Sequence, residues 1–391
     1  MTPSTSPDRL PRTVWAVGLV SLFMDISSET IHALLPLFLT TTLGASVAIV
    51  GIIDGVAEST AAIGKVFSGY ISDRLGKRKP LILFGYGISA ISKPLFAIAT
   101  APLYVLVARF ADRVGKGFRG APRDALIADV TPNAMRGRAY GLRQALDTVG
   151  AFVGPLLAIT LMALFNDNMR AVFWIAIVPA AISVALVLFG IEDRQATEKA
   201  RAPIQFRDLS SLPPAFWLLM LVAIAFTFAR FSEAFLILKT NADGLPVMWA
   251  PLVLVAMNLV YAAGAYPVGA LADRMSARAL LFYGVATLIA ADLALALLHG
   301  LFGAFLGIAL WGAHLALTQG VFAKLVADAA PERLRASGFG IFNLLTGVAL
   351  LIASVVAGFA WDKLGASATF LIGAVFAALA GVTAVATRKT P

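Results

Sequence analysis

Asp25, Glu29 and His32 stand at i, i+4 and i+7 inside an apolar run, so a helix there puts two carboxyls and an imidazole on one stripe. Carboxyls held in such a place exchange protons when the cavity around them opens to water. Arg109, Asp112, Arg113, Lys116 and Arg119 fall largely on one face of another such segment. Guanidinium forks and an ammonium group suit a carboxylate or a phosphate. Arg230 with Glu233, and Trp311 with His314, add two smaller clusters. A Lys, Arg or Asp in the middle of a membrane helix costs about 2.5 to 3.5 kcal/mol, so these groups must face a polar cavity or one another. The pattern predicts a site in which Arg109, Arg113, Lys116, Arg230, Glu233, Trp311 and His314 bind substrate while Asp25 and Glu29 carry protons.

Positioning these side chains is the task of a chain that is 59% hydrophobic and 14% charged, with a mean hydropathy of +0.85. Apolar stretches of about 20 residues recur throughout, the length that crosses a bilayer as a helix. They predict an all-α polytopic membrane protein with twelve spans, at roughly 14–43, 47–71, 80–99, 102–128, 139–164, 171–190, 215–238, 248–271, 279–298, 301–328, 338–361 and 366–387. Two echoes divide the chain. Gly69, Asp73 and Arg74 recur as Gly269, Asp273 and Arg274; Asp129, Pro132, Arg136 and Gly141 recur 199 residues later as Asp328, Pro331, Arg335 and Gly340. Repetition at nearly equal offsets points to duplication. The expected organisation is a six-helix bundle over 1–190, a cytoplasmic linker over 191–214 and a second six-helix bundle over 215–391.

Basic residues set the sidedness. With both termini inside, about nineteen Lys and Arg lie in inner segments, among them Lys77, Arg78, Lys79, Arg136 and Arg335; about three, Arg170, Lys239 and Lys363, lie outside. A multi-pass protein of the inner (plasma) membrane, with cytoplasmic termini and no cleaved leader, is expected. The net charge of +9 belongs to this loop bias, so no nucleic-acid partner is expected.

Other chemistry fails on the residues. No Gly-x-x-x-x-Gly-Lys-Ser/Thr loop is present for ATP, and Gly115-Lys-Gly117-Phe-Arg-Gly120 lies in an apolar span without a preceding strand. Cysteine is absent, which removes thiol chemistry and thiolate metal sites. Glu29 and His32 could offer a metal two ligands, with Glu233 and His314 as supplements, but no second cluster completes the set. No cofactor, no resident metal and no catalytic residue are expected, and the protein is read as not an enzyme. The expected partners are a small-molecule substrate, protons and the lipid bilayer, with the chain a monomer.

Gly69-x-x-x-Asp73-Arg74-x-Gly76-Lys77-Arg78-Lys79 resembles the signature loop between the second and third helices of the major facilitator superfamily, and with the six-plus-six repeat the resemblance spans the chain. Arg109 with Gly115-x-Gly117 loosely matches the fourth-helix signature, with extra residues between. Gly150-Ala-Phe-Val-Gly154-Pro155 matches the fifth-helix signature associated with antiporters, except that Leu157 and Ala158 replace its final glycine pair. The resemblance implies a fold in which helices 1, 4, 7 and 10 line a central pathway. It also implies gating by Gly69, Asp73, Arg74, Gly76, Asp129, Asp273 and Arg274, with Asp73 near Gly338 and Asp273 near Arg138.

Secondary transport by alternating access follows as the expected function, driven by protons. The leading expectation is an antiporter exporting an amphiphilic or anionic compound. The alternative is a proton-coupled importer of an anionic metabolite or metal chelate. The sign of the substrate's charge also stays open: Arg109, Arg113 and Lys116 suit an anion, unless Asp112, Asp54 and Glu58 satisfy them and leave Asp25 and Glu29 to a cation.

Overall fold

The structure, a computed structural model, describes residues 10–75, 77–192, 211–272, 274–331 and 334–386. Twelve long helical segments occupy them: α1 Arg12–Thr42, α2 Val47–Leu75, α3 Lys79–Ile98, α4 Pro102–Val130, α5 Arg136–Leu164, α6 Met169–Gly190, α7 Pro214–Ala242, α8 Leu252–Ala272, α9 Ala277–Leu297, α10 Gly300–Ala329, α11 Arg335–Leu364 and α12 Ala366–Ala386. Their limits fall within a few residues of the hydropathy reading. Eleven are long and apolar enough to cross a membrane; α4 is the exception, because Arg109, Asp112, Arg113, Lys116, Arg119, Arg123, Asp124 and Asp129 lie along it.

Two six-helix bundles share one plan. Packing of α1 on α5, α3 on α4, α2 on α4 and α1 on α6 is matched by α7 on α11, α9 on α10, α8 on α10 and α7 on α12. The bundles meet along α2 and α11. There Gly51, Gly55 and Gly358 lie against Ser354, Leu351 and Ala48, and a Cβ on Gly358 would fall 2.7 Å from the Ala48 Cα. Small residues bring membrane helices this close, because lipid supplies no hydrophobic drive between them.

Three helices are less regular than their apolar patterns suggest. In α1 the regular helix ends at His32 and continues through a turn at Leu35–Leu37 into a π-turn at Phe38–Thr42. Pro36, which has no N–H to give, explains the interruption. In α6 the ladder is interrupted at Ala176, between Met169–Ile175 and Ile177–Gly190. In α7 the helix stops at Ala229 and restarts at Ala234, where a continuous span had been expected. Ser232 Oγ accepts the Ala234 amide at 3.1 Å and stands in for the missing intrahelical partner.

Most of the linker lies outside the described residues, as do Gly76 and Asp273 and the side chains at Gly69 and Asp73. The expected contacts of Asp73 and Asp273 therefore fall outside what the structure describes. Arg74 and Arg274 are exposed at their helix ends. Asp129, at the end of α4, accepts from Arg78 Nε at 3.3 Å, and Arg78 also donates to Ser72 Oγ at 2.9 Å.

Candidate substrate pathway

A cavity of about 820 Å³ lies between the bundles. It extends toward the end of the molecule that carries the basic loops, since Arg143 on α5 and Phe342 on α11, two turns from their helix starts, both line it. Toward the opposite end the bundles are joined. Ser232 donates to Asp54 Oδ2 at 2.7 Å, and Asp362 at the end of α11 accepts the Val47 and Ala48 amides at 3.1 and 2.9 Å. Asp362 thus caps the free N–H groups of α2 from across the divide.

Of the residues expected to act on substrate or protons, Asp25, Glu29, Arg113, Lys116, Arg230, Glu233 and Trp311 line the cavity. Arg109 and His314 do not. Arg109 is buried one turn behind Arg113, with Nε 3.4 Å from Asp54 Oδ1 and an amino group 3.8 Å from Glu58 Oε1. His314 is enclosed by Trp311 and Phe226, ring centroids 5.3 and 6.3 Å away, and neither ring nitrogen has a hydrogen-bond partner among the described residues. It backs the aromatic wall.

The first bundle makes a charged wall stitched by pairs. Arg113 reaches Glu58 Oε1 at 3.0 Å, and Arg143 reaches Asp147 Oδ2 at 2.7 Å. His32 Nδ1 lies 3.4 Å from Glu29 Oε2. Arg119 donates to Ser89 Oγ at 2.6 Å with its guanidinium 4.6 Å over the Tyr86 ring, and Arg123 donates to Ser21 Oγ at 2.8 Å. Deeper, Lys93 on α3 binds Asp112 at 2.9 Å and Ser28 at 2.9 Å, a buried pair outside the cavity. Among the described residues, Asp25, Lys65, Lys116, Arg230 and Glu233 have neither an ion pair nor a side-chain hydrogen bond.

Glycines of α5 seat the two acids of α1. A Cβ on Gly150 would fall 2.9 Å from the Asp25 Cβ, and one on Gly154 2.7 Å from the Glu29 Cβ. Thr30 Oγ1 donates to the Gly154 carbonyl at 3.0 Å. The Gly-x-x-x-Gly-Pro run is therefore the surface against which the proton-coupling candidates pack.

The second bundle contributes an aromatic wall. Phe226 and Phe322 approach at 5.2 Å, Phe231 and Trp311 at 5.8 Å, and Phe322 and Phe342 stack at 6.1 Å. Arg230 and Glu233 enter at the break in α7. Sequence reasoning left Lys65 and Arg143 out of the site, although both line the cavity. Spacing held the signal: Lys65 follows Glu58 by two turns, and Arg143 precedes Asp147 by one.

Comparison with known proteins agrees with this architecture. A family model described as the Major Facilitator Superfamily matches residues 17–257 and 244–391. The uncharacterized MFS-type transporter MJ1317 of Methanocaldococcus jannaschii is 30% identical over 380 residues, 95% of this chain and 94% of the relative. A probable 4-methylmuconolactone transporter of Cupriavidus pinatubonensis is 31% identical over 196 residues, 49% of this chain and 44% of that protein. The crystal structure of the nucleoside transporter NupG superposes with a TM-score of 0.81 at 14% identity, over 96% of this chain and 99% of that one. Twelve helices in two matched bundles around a central cavity, together with these matches, make the chain a multi-pass membrane transporter that belongs to the Major Facilitator Superfamily.

Proposed function

We propose that the protein is a proton-coupled secondary transporter of a small organic anion with an apolar body, working by alternating access between its two bundles. The composition of the cavity carries the reading. Among the described residues seven cations line it, Lys65, Arg113, Lys116, Arg119, Arg123, Arg143 and Arg230, against five acids, Asp25, Glu29, Glu58, Asp147 and Glu233. An excess of two positive charges facing an aromatic wall suits a solute with an anionic head and a hydrophobic remainder. The half-chain likeness to a probable 4-methylmuconolactone transporter supports an organic solute of this size. Because the cavity extends toward the basic loops, which the positive-inside rule assigns to the cytoplasm, the conformation is read as inward-facing.

The same charge balance favours proton and anion travelling together. A proton on Asp25 or Glu233 removes a negative charge from the cavity and so favours the anion, and a bound anion favours the proton in return. This supports the importer expected as the alternative over antiport, where proton and substrate would exclude each other. In proteoliposomes with a pH gradient imposed in either direction, labelled benzoate and phthalate should accumulate on the alkaline side, carried with protons down their gradient beyond the passive level of empty liposomes. Accumulation on the acidic side would establish antiport. Uptake of tetraphenylphosphonium in place of both anions would overturn the substrate class.

A further inference from the structure

Three cations of the cavity, Lys65, Lys116 and Arg230, have neither an ion pair nor a side-chain hydrogen bond among the described residues, and the two lysines lie on the packed helices α2 and α4. Arg113 is neutralised by Glu58, and Arg143 by Asp147. Arg119 and Arg123 are held by Ser89, Tyr86 and Ser21. Arg230 sits two residues from Ser232, which bonds Asp54, with Glu233 beside it at the α7 break. Lys65 on α2 and Lys116 on α4 line the same cavity with no acid within 4.0 Å and no side-chain hydrogen bond among the described residues.

The backbones bring these two together. Gly64 and Gly117, each next in sequence to one of the lysines, are in direct contact: a Cβ on Gly64 would fall 3.1 Å from the Gly117 Cα, and one on Gly117 2.9 Å from the Gly64 Cα. Helices touching at glycine leave no room for a side chain between them, so Lys65 and Lys116 are fixed as neighbours on the cavity face. Two like charges held side by side in a partly desolvated wall are unfavourable without an anion. Glu58, the cavity acid that acts on both lysines, is already engaged by Arg113 at 3.0 Å.

Building on the proposed anion transport, we infer that Lys65 and Lys116 form the seat for the substrate's head group, and that this head carries two negative charges, as a dicarboxylate or a phosphate monoester does. A monoanion leaves one ammonium uncompensated, whereas a dianion matches both and removes the charge excess of the cavity. Ammonium groups act as point charges on flexible stems, so the seat selects charge over the planar geometry that an Arg fork would impose. The aromatic wall of Phe226, Phe231 and Trp311 takes the body of the molecule.

The cysteine-free chain gives a direct test that needs no transport. Gly120 lines the cavity one turn beyond Lys116, and a Cβ there meets nothing within 4 Å. In the purified full chain carrying Gly120→Cys, the thiol should react with sulfonatoethyl methanethiosulfonate about tenfold faster, relative to the trimethylammonium reagent, than a free thiol does. Lys65→Gln and Lys116→Gln should each reduce that preference and together abolish it, while Lys116→Arg keeps it and shows that the fold survives. Phthalate should slow the reaction at roughly tenfold lower concentration than benzoate. An anionic preference that is absent, or unchanged in the Lys65→Gln/Lys116→Gln protein, overturns the seat. Equal or no slowing by the two acids overturns the double charge. Transport of an anion by a protein without the labelling preference would leave the functional reading standing and remove this inference alone.

Discussion

Ser232, at the break in α7, donates a 2.7 Å hydrogen bond to Asp54 of α2, and Asp54 lies at the same time 3.4 Å from Arg109 of α4. One carboxylate thus ties the second bundle to two helices of the first at the end of the cavity farther from the basic loops. A hydrogen bond to a charged group contributes about 1.5 to 3 kcal/mol, and this one exists only while the bundles touch there. Ser232→Ala should move the equilibrium toward the opposite-facing state by about tenfold or more. Spin labels on Ser46→Cys and Ser367→Cys, placed on the two bundles in a chain without other thiols, would report a longer distance. An unchanged distance distribution would sink this role.

Asp362 makes a second such link by capping α2 through two amides. Removing a cap of this kind costs about 0.5 to 2 kcal/mol. Asp362→Ala should therefore lengthen the same distance, less than Ser232→Ala does, and the double variant should show nearly the sum because the sites share no partner. A double variant no different from either single would mean that the two contacts do not act independently.

From the sequence, Asp25 and Glu29 are both expected to carry the coupling. Geometry favours Asp25, since Glu29 is engaged by His32 at 3.4 Å and Asp25 has neither an ion pair nor a side-chain hydrogen bond among the described residues. In Asp25→Asn, substrate movement driven by a pH gradient should be lost while counterflow exchange persists. Glu29→Gln should keep at least part of the driven movement. Equal loss of both activities in Asp25→Asn would identify a structural acid.

Lys93 and Asp112 form a buried pair that the cavity does not reach. Breaking such a pair from one side costs about 3 to 5 kcal/mol, whereas replacing both partners by apolar residues is often neutral. Asp112→Asn should lower the Tm of the purified protein sharply, and Lys93→Met/Asp112→Leu should restore most of it. A double variant as unstable as the single one would show that Asp112 has a further role.

The twelve helices were legible because a bilayer admits few solutions to an apolar run of this length, and the first bundle's role as the charged half was legible from where its ionisable residues fall. The α7 break was not. Arg230 and Glu233, at i and i+3, read as one face of a continuous helix, and only the Ser232 bonds to Ala234 and Asp54 show why the ladder opens. Arg109 and Arg113 are equivalent in sequence, one turn apart on one face, and both are buried, yet only Arg113 lines the cavity while Arg109 turns to Asp54. The spacing of Lys65 from Glu58 places it on the face of that acid, but its pairing with Lys116 rests on Gly64 meeting Gly117, a contact between helices that periodicity cannot register.

The charges on α4 also bear on how the protein is made. On insertion scales each Arg, Lys or Asp near the middle of a helix opposes entry into lipid by about 2.5 to 3.5 kcal/mol, and α4 carries several. Its partners Asp54 and Lys93 belong to α2 and α3, which leave the ribosome first. α4 therefore enters the bilayer as the companion of helices already synthesised, its pairs forming as it partitions. A lesion at Lys93, which lies outside the cavity lining, should therefore show itself first as protein missing from the membrane and only afterwards as altered transport.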